Sequence, residues 1–565
     1  MKGLSFGVVA LIAAAGCQGA VDSGDGSSRD DGGASGAPAA ASGGSPSVGG
    51  SAGAGNAPAI PPGPSQIALN CAAPKVGAPA LRLLTRYEVD NTLNDIFPSL
   101  KGQWTSALPA GEVSSFGFDN KVSAPVSPQF AAALLETGLS VGSAVTGPAL
   151  ATLLPCSGAA DRACAEQFIT QYGRRLFRRP LSAEDKTRYL AYFDSALAKS
   201  DFKTAIKWVT AGLIQSPHAI YRSEIGTASG GGKRTLSPHE LATELAYTYT
   251  GSTPSEQLLS QADSGSISDP AAVARTLLAT EGGKQALHRF FEGYLGYSRV
   301  AATQKPKAQG FSDVSADMLQ ETRRFIDSLV LQKGGGLKEL LTAPSTNPSQ
   351  KLATYYGLPA PTSDFASVQR PAGRGIGILA QAAFLATHAN SDGSSPTQRG
   401  VFASHRLLCE PTPPLPDDIP QLAAPAPGVK TTRQRYEDMH VKAGGSCNTC
   451  HQRFDPLGFA FEHFDEGGRY RETEAGLAIN SAASLMAANG TVLSFNGQED
   501  LMTQLVGQSV VYECFTAYLA TYAFGTAEAC LGPSPAAPLQ AGTVGIAEAY
   551  VRLAAEPHFT SRTSF

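Results

Sequence analysis

Residues 447–451, Cys-Asn-Thr-Cys-His, place two thiols three positions apart and an imidazole directly after the second. On a helical turn such thiols share one side. Both can then reach the two vinyl groups of a single porphyrin while the imidazole turns to its iron. In that reading Cys447 and Cys450 hold one covalent haem c, and His451 is the proximal ligand. The same letters allow other chemistry. His440, Cys447, Cys450 and His451 supply ligand types for a four-coordinate structural zinc. The neighbours Cys450 and His451 are awkward as two corners of one tetrahedron. A Cys447–Cys450 disulfide, or two free thiols, is the third reading, and the βαβ context of a redox-active pair is missing. For a sixth iron ligand His440 and His463 lie nearer than Met486 and Met502, Met439 is a further candidate, and His440 or no protein group is favoured over any one Met. Phe454, Phe459, Phe461 and Phe464 suit a porphyrin edge or an ordinary core.

Other patterns carry less. His239 in "HELAT" lacks the second histidine of a zinc protease and reads as an exposed first-turn residue. "GGGK" at 230–233 is followed by Arg234, not Ser or Thr, so it reads as a loop. No G-x-S-x-G elbow is present. Arg174, Arg175, Arg178 and Arg179 cluster where a helix should end, which suits its dipole and local carboxylates better than an anion clamp. Asp417-Asp418 and Asp465-Glu466 are adjacent in sequence, which favours turn and surface roles over a catalytic pair.

The N-terminus bears on compartment. Lys2, the apolar run Phe6–Ala15 and then Ala14-Ala15-Gly16-Cys17 read as an export signal over 1–16 ending in a lipoprotein-type box. Cys17 would be lipidated, and Gln18 after it favours the outer membrane. Residues 17–66, rich in Gly, Ser, Ala and Pro, cannot bury a core. As a tether they would span about 40 Å root-mean-square. Export agrees with covalent haem attachment, which takes place outside the cytoplasm. With Cys17, Cys447 and Cys450 set aside, six of nine cysteines remain, and the short separations favour Cys156–Cys164 and Cys514–Cys530 as disulfides. The net charge of −4 argues against nucleic acid as the main partner.

The elements that must position these residues read as helices. Thr85 and Glu88 form a capping box, flanked by Leu84 and Val89 as a hydrophobic staple. Ser127-Pro128 and Ser237-Pro238 start further helices, the second boxed by Glu240 and ended by Gly251. Phe202, Ile206, Val209 and Leu213 form one stripe; Val511, Phe515, Tyr518 and Tyr522 form another, closed by Gly525. Alternating strands are not evident outside 476–500. The expected fold is mainly α and multi-helical, with several packed helical subdomains.

The words "LRLLTRYEVDNTLNDIF", "FGFDN", "CAEQFITQYGRRLFRRPLSAED", "SPHAIYRSE", "LSPHELATELAYTYTG", "SSPTQRG", "LLCEPTPPLPDDIP" and "CNTCHQRFDPLGFAFEHFDEGGRYRE" occur in this order. Together they resemble the multi-block exported family abundant in planctomycetes and myxobacteria. Its C-terminal part is named a planctomycete cytochrome C domain, and its other blocks are domains of unknown function. The resemblance runs from about residue 80 to 530. It implies an exported, haem-bearing protein with a cytochrome-c-like segment near the C-terminus. The blocks are then 71–155 (N-terminal helical), 156–225 (second helical), 232–365 (central helical), 366–475 (cytochrome-c-like, with the Cys-x-x-Cys-His) and 476–565 (C-terminal helical). The expected function is electron transfer or an extracytoplasmic redox step by a lipid-anchored c-type haem protein, acting as an accessory redox component. Its partners would be membrane lipid, through Cys17, and a redox protein. The alternative is a surface binding module, for instance for polysaccharide, whose Cys-x-x-Cys-His is a structural zinc or disulfide site.

Overall fold

Local capping and apolar period set most of the chain into helices. In the computed structural model, which describes residues 76–114, 116–120, 125–157, 159–410, 430–442, 446–487, 490–526 and 536–564, the fold is mainly α. Cys17, the signal and tether, Cys71, Cys530 and Asp417-Asp418 lie outside those residues. Strand β1 (Ala80–Leu83) leads into helix α1 (Arg86–Ile96). There the Glu88 amide donates to Thr85 Oγ1 at 3.1 Å, and the Thr85 amide donates to Glu88 Oε2 at 2.8 Å. Leu84 and Val89 are both buried beside this box. Helices α2 (Pro128–Val145), α3 (Arg162–Phe177), α4 (Ala183–Leu197) and α5 (Phe202–Ile214) complete an N-terminal bundle. Its core includes Leu93, Phe168, Phe193, Ile206 and Val209.

The chain then returns as strand β2 (Tyr221–Glu224), antiparallel to β1. Helix α6 (Pro238–Thr250) follows, with its Ser237–Glu240 box and left-handed Gly251 cap in place. A larger core gathers α7 (Glu281–Leu295), α8 (Phe311–Ile326), α9 (Ala382–Thr387), α10 (Pro396–Phe402) and α11 (Ser446–Phe459). A hairpin, β3 (Ala482–Met486) with β4 (Val492–Asn496), falls inside the 476–500 stretch. Helices α12 (Gln498–Leu505) and α13 (Ser509–Phe524) close the core, and Val511, Phe515 and Tyr518 are fully buried. Each such side chain adds roughly 1.5–3 kcal/mol by leaving water. Strand β5 (Ser561–Thr563) then pairs with Lys233–Thr235. Among the described residues no helix is long and apolar enough to cross a membrane.

Buried charge stitches the early and late segments together. Arg222 on β2 donates to Glu88 Oε1 at 3.2 Å and to Glu244 Oε2 at 2.5 Å. Arg82 lies 3.5 Å from Glu244 and 3.9 Å from Glu224, and Arg562 donates to Glu224 at 2.5 Å. Glu88 thus caps α1 with one carboxylate oxygen and holds Arg222 with the other.

Cys156 and Cys164 are disulfide-bonded, with Cα atoms 5.3 Å apart. The expected Cys514–Cys530 pair is corrected: Cys514 bonds Cys409, 105 residues away, with Cα atoms 5.5 Å apart. The reason is helical orientation. α13 packs its Cys514 face on the 403–407 turn, where the Cys514 sulfur also lies 3.4 Å from the Arg406 carbonyl. Closing so long a loop is worth about 4–5 kcal/mol in the chain-entropy account.

Candidate functional site

Helix α11 carries Cys447, Cys450, His451 and Asp455 on successive turns. Cys447 lies in the helix by its backbone, and its side chain is outside the described residues. Cys450 is half-buried, and its thiol has no disulfide partner among the described residues. Four residues after His451, at the spacing that brings side chains together on a helix, Asp455 is wholly buried. Its Oδ2 lies 3.0 Å from Nδ1 of His451 and 3.0 Å from Nδ1 of His440. Thr397 on α10 donates its hydroxyl to Oδ1 at 2.7 Å. Burial pushes the Asp455 carboxyl up, and the hydrogen bonds from His440 and His451 outweigh it, so it titrates below its ordinary value.

A carboxylate only accepts. Both imidazoles therefore carry a hydrogen on Nδ1, which in the neutral ring leaves Nε2 a lone pair. The same donor set brings His440, His451 and Asp455 ligand atoms within 4.8 Å of one another. The two rings stack face to face with centroids 3.6 Å apart, and Phe454 and Tyr436 meet them edge-on.

Helix α10 is the platform for α11, and its sequence word explains how. A Cβ at Gly400 would lie 2.0 Å from the Phe454 carbonyl oxygen, and one at Gly458 would lie 1.8 Å from that of Pro396. Only glycines let the two backbones approach this closely. Ser395 caps α10 and Pro396 occupies its first turn. Arg399, fully buried, donates to the carbonyls of Phe461, Phe464, Leu385 and Asp465 at 2.9–3.1 Å. These include carbonyls just past the end of α11, where backbone acceptors lack helical donors. Ser394 donates to buried Glu462 at 3.0 Å. Burial pushes the Glu462 carboxyl up to about 7, despite Arg471 and Arg399 nearby.

The other sequence candidates settle elsewhere. His239 pairs with Asp263 at 2.9 Å. Arg174 bonds Asp263 and Glu256, Arg179 bonds Asp185, and Arg178 donates to the carbonyls of His218, Ala219 and Tyr221. Of these three arginines only Arg179 answers a carboxylate close in sequence, as the helix-end reading expected; Arg174 and Arg178 reach acceptors 40 to 89 residues away. Asp465 accepts from the Gly467 and Arg469 amides and from Arg469 Nε, a turn role. His463 bonds the Arg471 carbonyl and stacks on Tyr470. Met502 is buried in the main core, and Met486 is exposed on the hairpin. Phe454, Phe459, Phe461 and Phe464 are all buried. Asp455 and Thr397 are the site residues that sequence reasoning missed. The i+4 offset from His451 to Asp455 was a usable signal; the Thr397 contact had none.

Residues 164–224 match a family described as a protein of unknown function, DUF1595, and residues 236–358 match a second, DUF1592. Residues 374–474, which include α10 and the start of α11 through His463 and Tyr470, match a third, DUF1588, with the short name PSCyt3. No curated protein and no solved structure matches the chain. The chain carries segments similar to these three families in one order, the multi-block arrangement its sequence words resemble, with the planctomycete cytochrome name on the block that holds Cys447, Cys450 and His451.

Proposed function

We propose that this chain is an exported, lipid-anchored c-type haem protein that takes part in electron transfer or a redox step outside the cytoplasm. One observation carries the reading: Asp455 holds the Nδ1 hydrogen of His451, the residue next to the free Cys450, and His451 Nε2 has no partner among the described residues. A carboxylate on the far nitrogen of a ligating imidazole fixes its tautomer and raises its basicity. Cys447 and Cys450 would hold the haem covalently and His451 would ligate the iron; bound there, the haem supplies one-electron chemistry. The chain's own contribution is orientation. Thr397 and Asp455 lock the His451 ring, Phe454 covers its edge, and the Gly400–Gly458 contact keeps α11 seated. Cys17 would carry the lipid, with 17–66 as tether and a redox protein as partner.

The test is an absorption spectrum of the full chain produced with a c-type maturation system. A Soret band that survives acid–acetone extraction is expected, and folded protein without one would sink the reading. Cys17→Ser should move the protein from the membrane to the soluble envelope fraction; unchanged partitioning would remove the anchor.

A second reading has its own observation. The approach of His440, His451 and Asp455 also suits a structural divalent ion in a surface binding module. Stoichiometric zinc in haem-free, folded protein, lost together with thermal stability in His440→Gln, would favour it.

A further inference from the structure

A cavity of about 370 Å³ lies where four parts of the chain meet: Val113 with Gly117 to Asp119, helix α7 with the turn after it, the 388–406 stretch, and Tyr522 of α13. Its walls come from both the 236–358 and the 374–474 family segments. Junctions of this kind are preferred places for small-molecule sites, and the volume is in the ordinary range for one.

The charges around it do not cancel. Arg289 is satisfied by a bidentate pair with Asp119 at 2.8 Å, and Glu292 is taken by Arg323 at 2.6 Å. Two guanidiniums are left. Arg406 is buried over the Tyr518 ring, with the Phe116 carbonyl as acceptor. Neither it nor Arg299 has a carboxylate partner among the described residues. Arg299 leans into the hollow above Gly296. A Cβ there would lie 3.8 Å from its Nη2 and 3.6 Å from Nε2 of His388.

His388 adds a different group. It is 4% exposed and is packed by Phe384 and Phe402. Its Nδ1 lies 3.0 Å from the Phe384 carbonyl, which can only accept. The ring hydrogen therefore sits on Nδ1, and Nε2 is an acceptor with no partner among the described residues. Burial depresses the imidazole to about 3, so it stays neutral at ordinary pH. The remaining wall is largely aromatic, with Phe118, Tyr294 and Phe402.

We infer that this cavity binds a small aromatic hydroxy acid: its carboxylate against Arg299 and Arg406, its ring between the aromatic walls, and its hydroxyl donating to His388 Nε2. A carboxylate complements the two uncancelled guanidiniums. A hydroxyl complements a neutral imidazole acceptor that faces the cavity without a partner among the described residues. The site is independent of the haem reading, since none of the side chains named here is one which that reading uses.

The experiment is calorimetric titration of the full chain with 4-hydroxybenzoate, benzoate and 4-hydroxybenzamide. The hydroxybenzoate should bind roughly tenfold or more tightly than either analogue, since each lacks one of the two polar contacts. Arg299→Gln should weaken both acids by about tenfold and leave the amide unchanged. His388→Phe, which retains the ring packing, should erase the preference for hydroxybenzoate over benzoate. A circular-dichroism melt of each variant separates lost binding from lost folding. No binding of either acid up to roughly 10 mM, equal binding of acid and amide, or a folded Arg299→Gln variant with parent affinity would each overturn the proposal. Haem-free protein should give the same titration, so loss of the haem reading leaves this result standing.

Discussion

Two buried polar regions of this protein use similar groups to different ends. Between β1, β2, α1 and α6, the side chains of Arg82, Arg222 and Arg562 face those of Glu88, Glu224 and Glu244. Three charges of each sign meet in one place. Burial pushes Glu244 up, but Arg222, Arg82 and Arg562 together hold it down at about 2, so it stays ionised. On α11 a single carboxylate, Asp455, answers two imidazoles and a hydroxyl, and the two Nε2 atoms have no partner among the described residues. Charges matched three to three serve to join segments, and removing one partner strands the others. A carboxylate that orients rings without consuming their outer nitrogens prepares them for a ligand.

The sharpest way to break that contrast is Arg222→Ala, which leaves Glu88 and Glu244 buried without their main partner. Stability should fall by about 3–5 kcal/mol in urea unfolding, and a loss under about 1 kcal/mol would show that water replaces the guanidinium. Glu462→Gln probes the other region through pH. The folded carboxyl titrates near 7 against an ordinary value of 4.5, so the native state keeps its proton longer than the unfolded chain. Its contribution is complete below pH 4.5 and is lost as pH rises through 7. The Gln variant should gain up to about 3 kcal/mol relative to the parent between those limits. Parallel stability profiles for the two proteins would refute the shift.

Gly400→Ala drives a Cβ onto the Phe454 carbonyl and should cost about 2 kcal/mol. Hydrogen exchange should speed up in 446–459 while 86–96 stays protected; a uniform change would mean the two regions are not separable. Thr397→Val removes one donor to Asp455 at nearly constant volume and should cost about 1 kcal/mol. An unchanged melting temperature would mean Asp455 is held by the histidines alone. Smallest of all, Arg174→Ala breaks a solvent-exposed cluster with Asp263 and Glu256 and should shift stability by only about 0.2–1 kcal/mol. A larger loss would make that cluster resemble the buried one.

Legibility followed the range of the interaction. The Thr85–Glu88 and Ser237–Glu240 boxes, the glycine caps at 251 and 525 and the 202–213 stripe were readable because their partners lie within four residues. The Cys156–Cys164 spacing was readable for the same reason. The expected Cys514–Cys530 pair failed because proximity in sequence says nothing about which face of α13 is turned inward. Glu88 shows both sides at once: its capping role is local, and its bond to Arg222 spans 134 residues.

From sequence alone came the helical class and the Cys447-x-x-Cys450-His451 spacing, since capping, period and covalent reach are properties of neighbouring residues. Tertiary packing decided what those residues meet. It brought His440 onto the face of His451, set Thr397 on Asp455 through a contact only two glycines permit, joined Cys409 to Cys514, and left Arg299 and His388 facing one hollow. Each of these joins side chains from separate elements, whose meeting depends on how whole helices pack and not on any local preference.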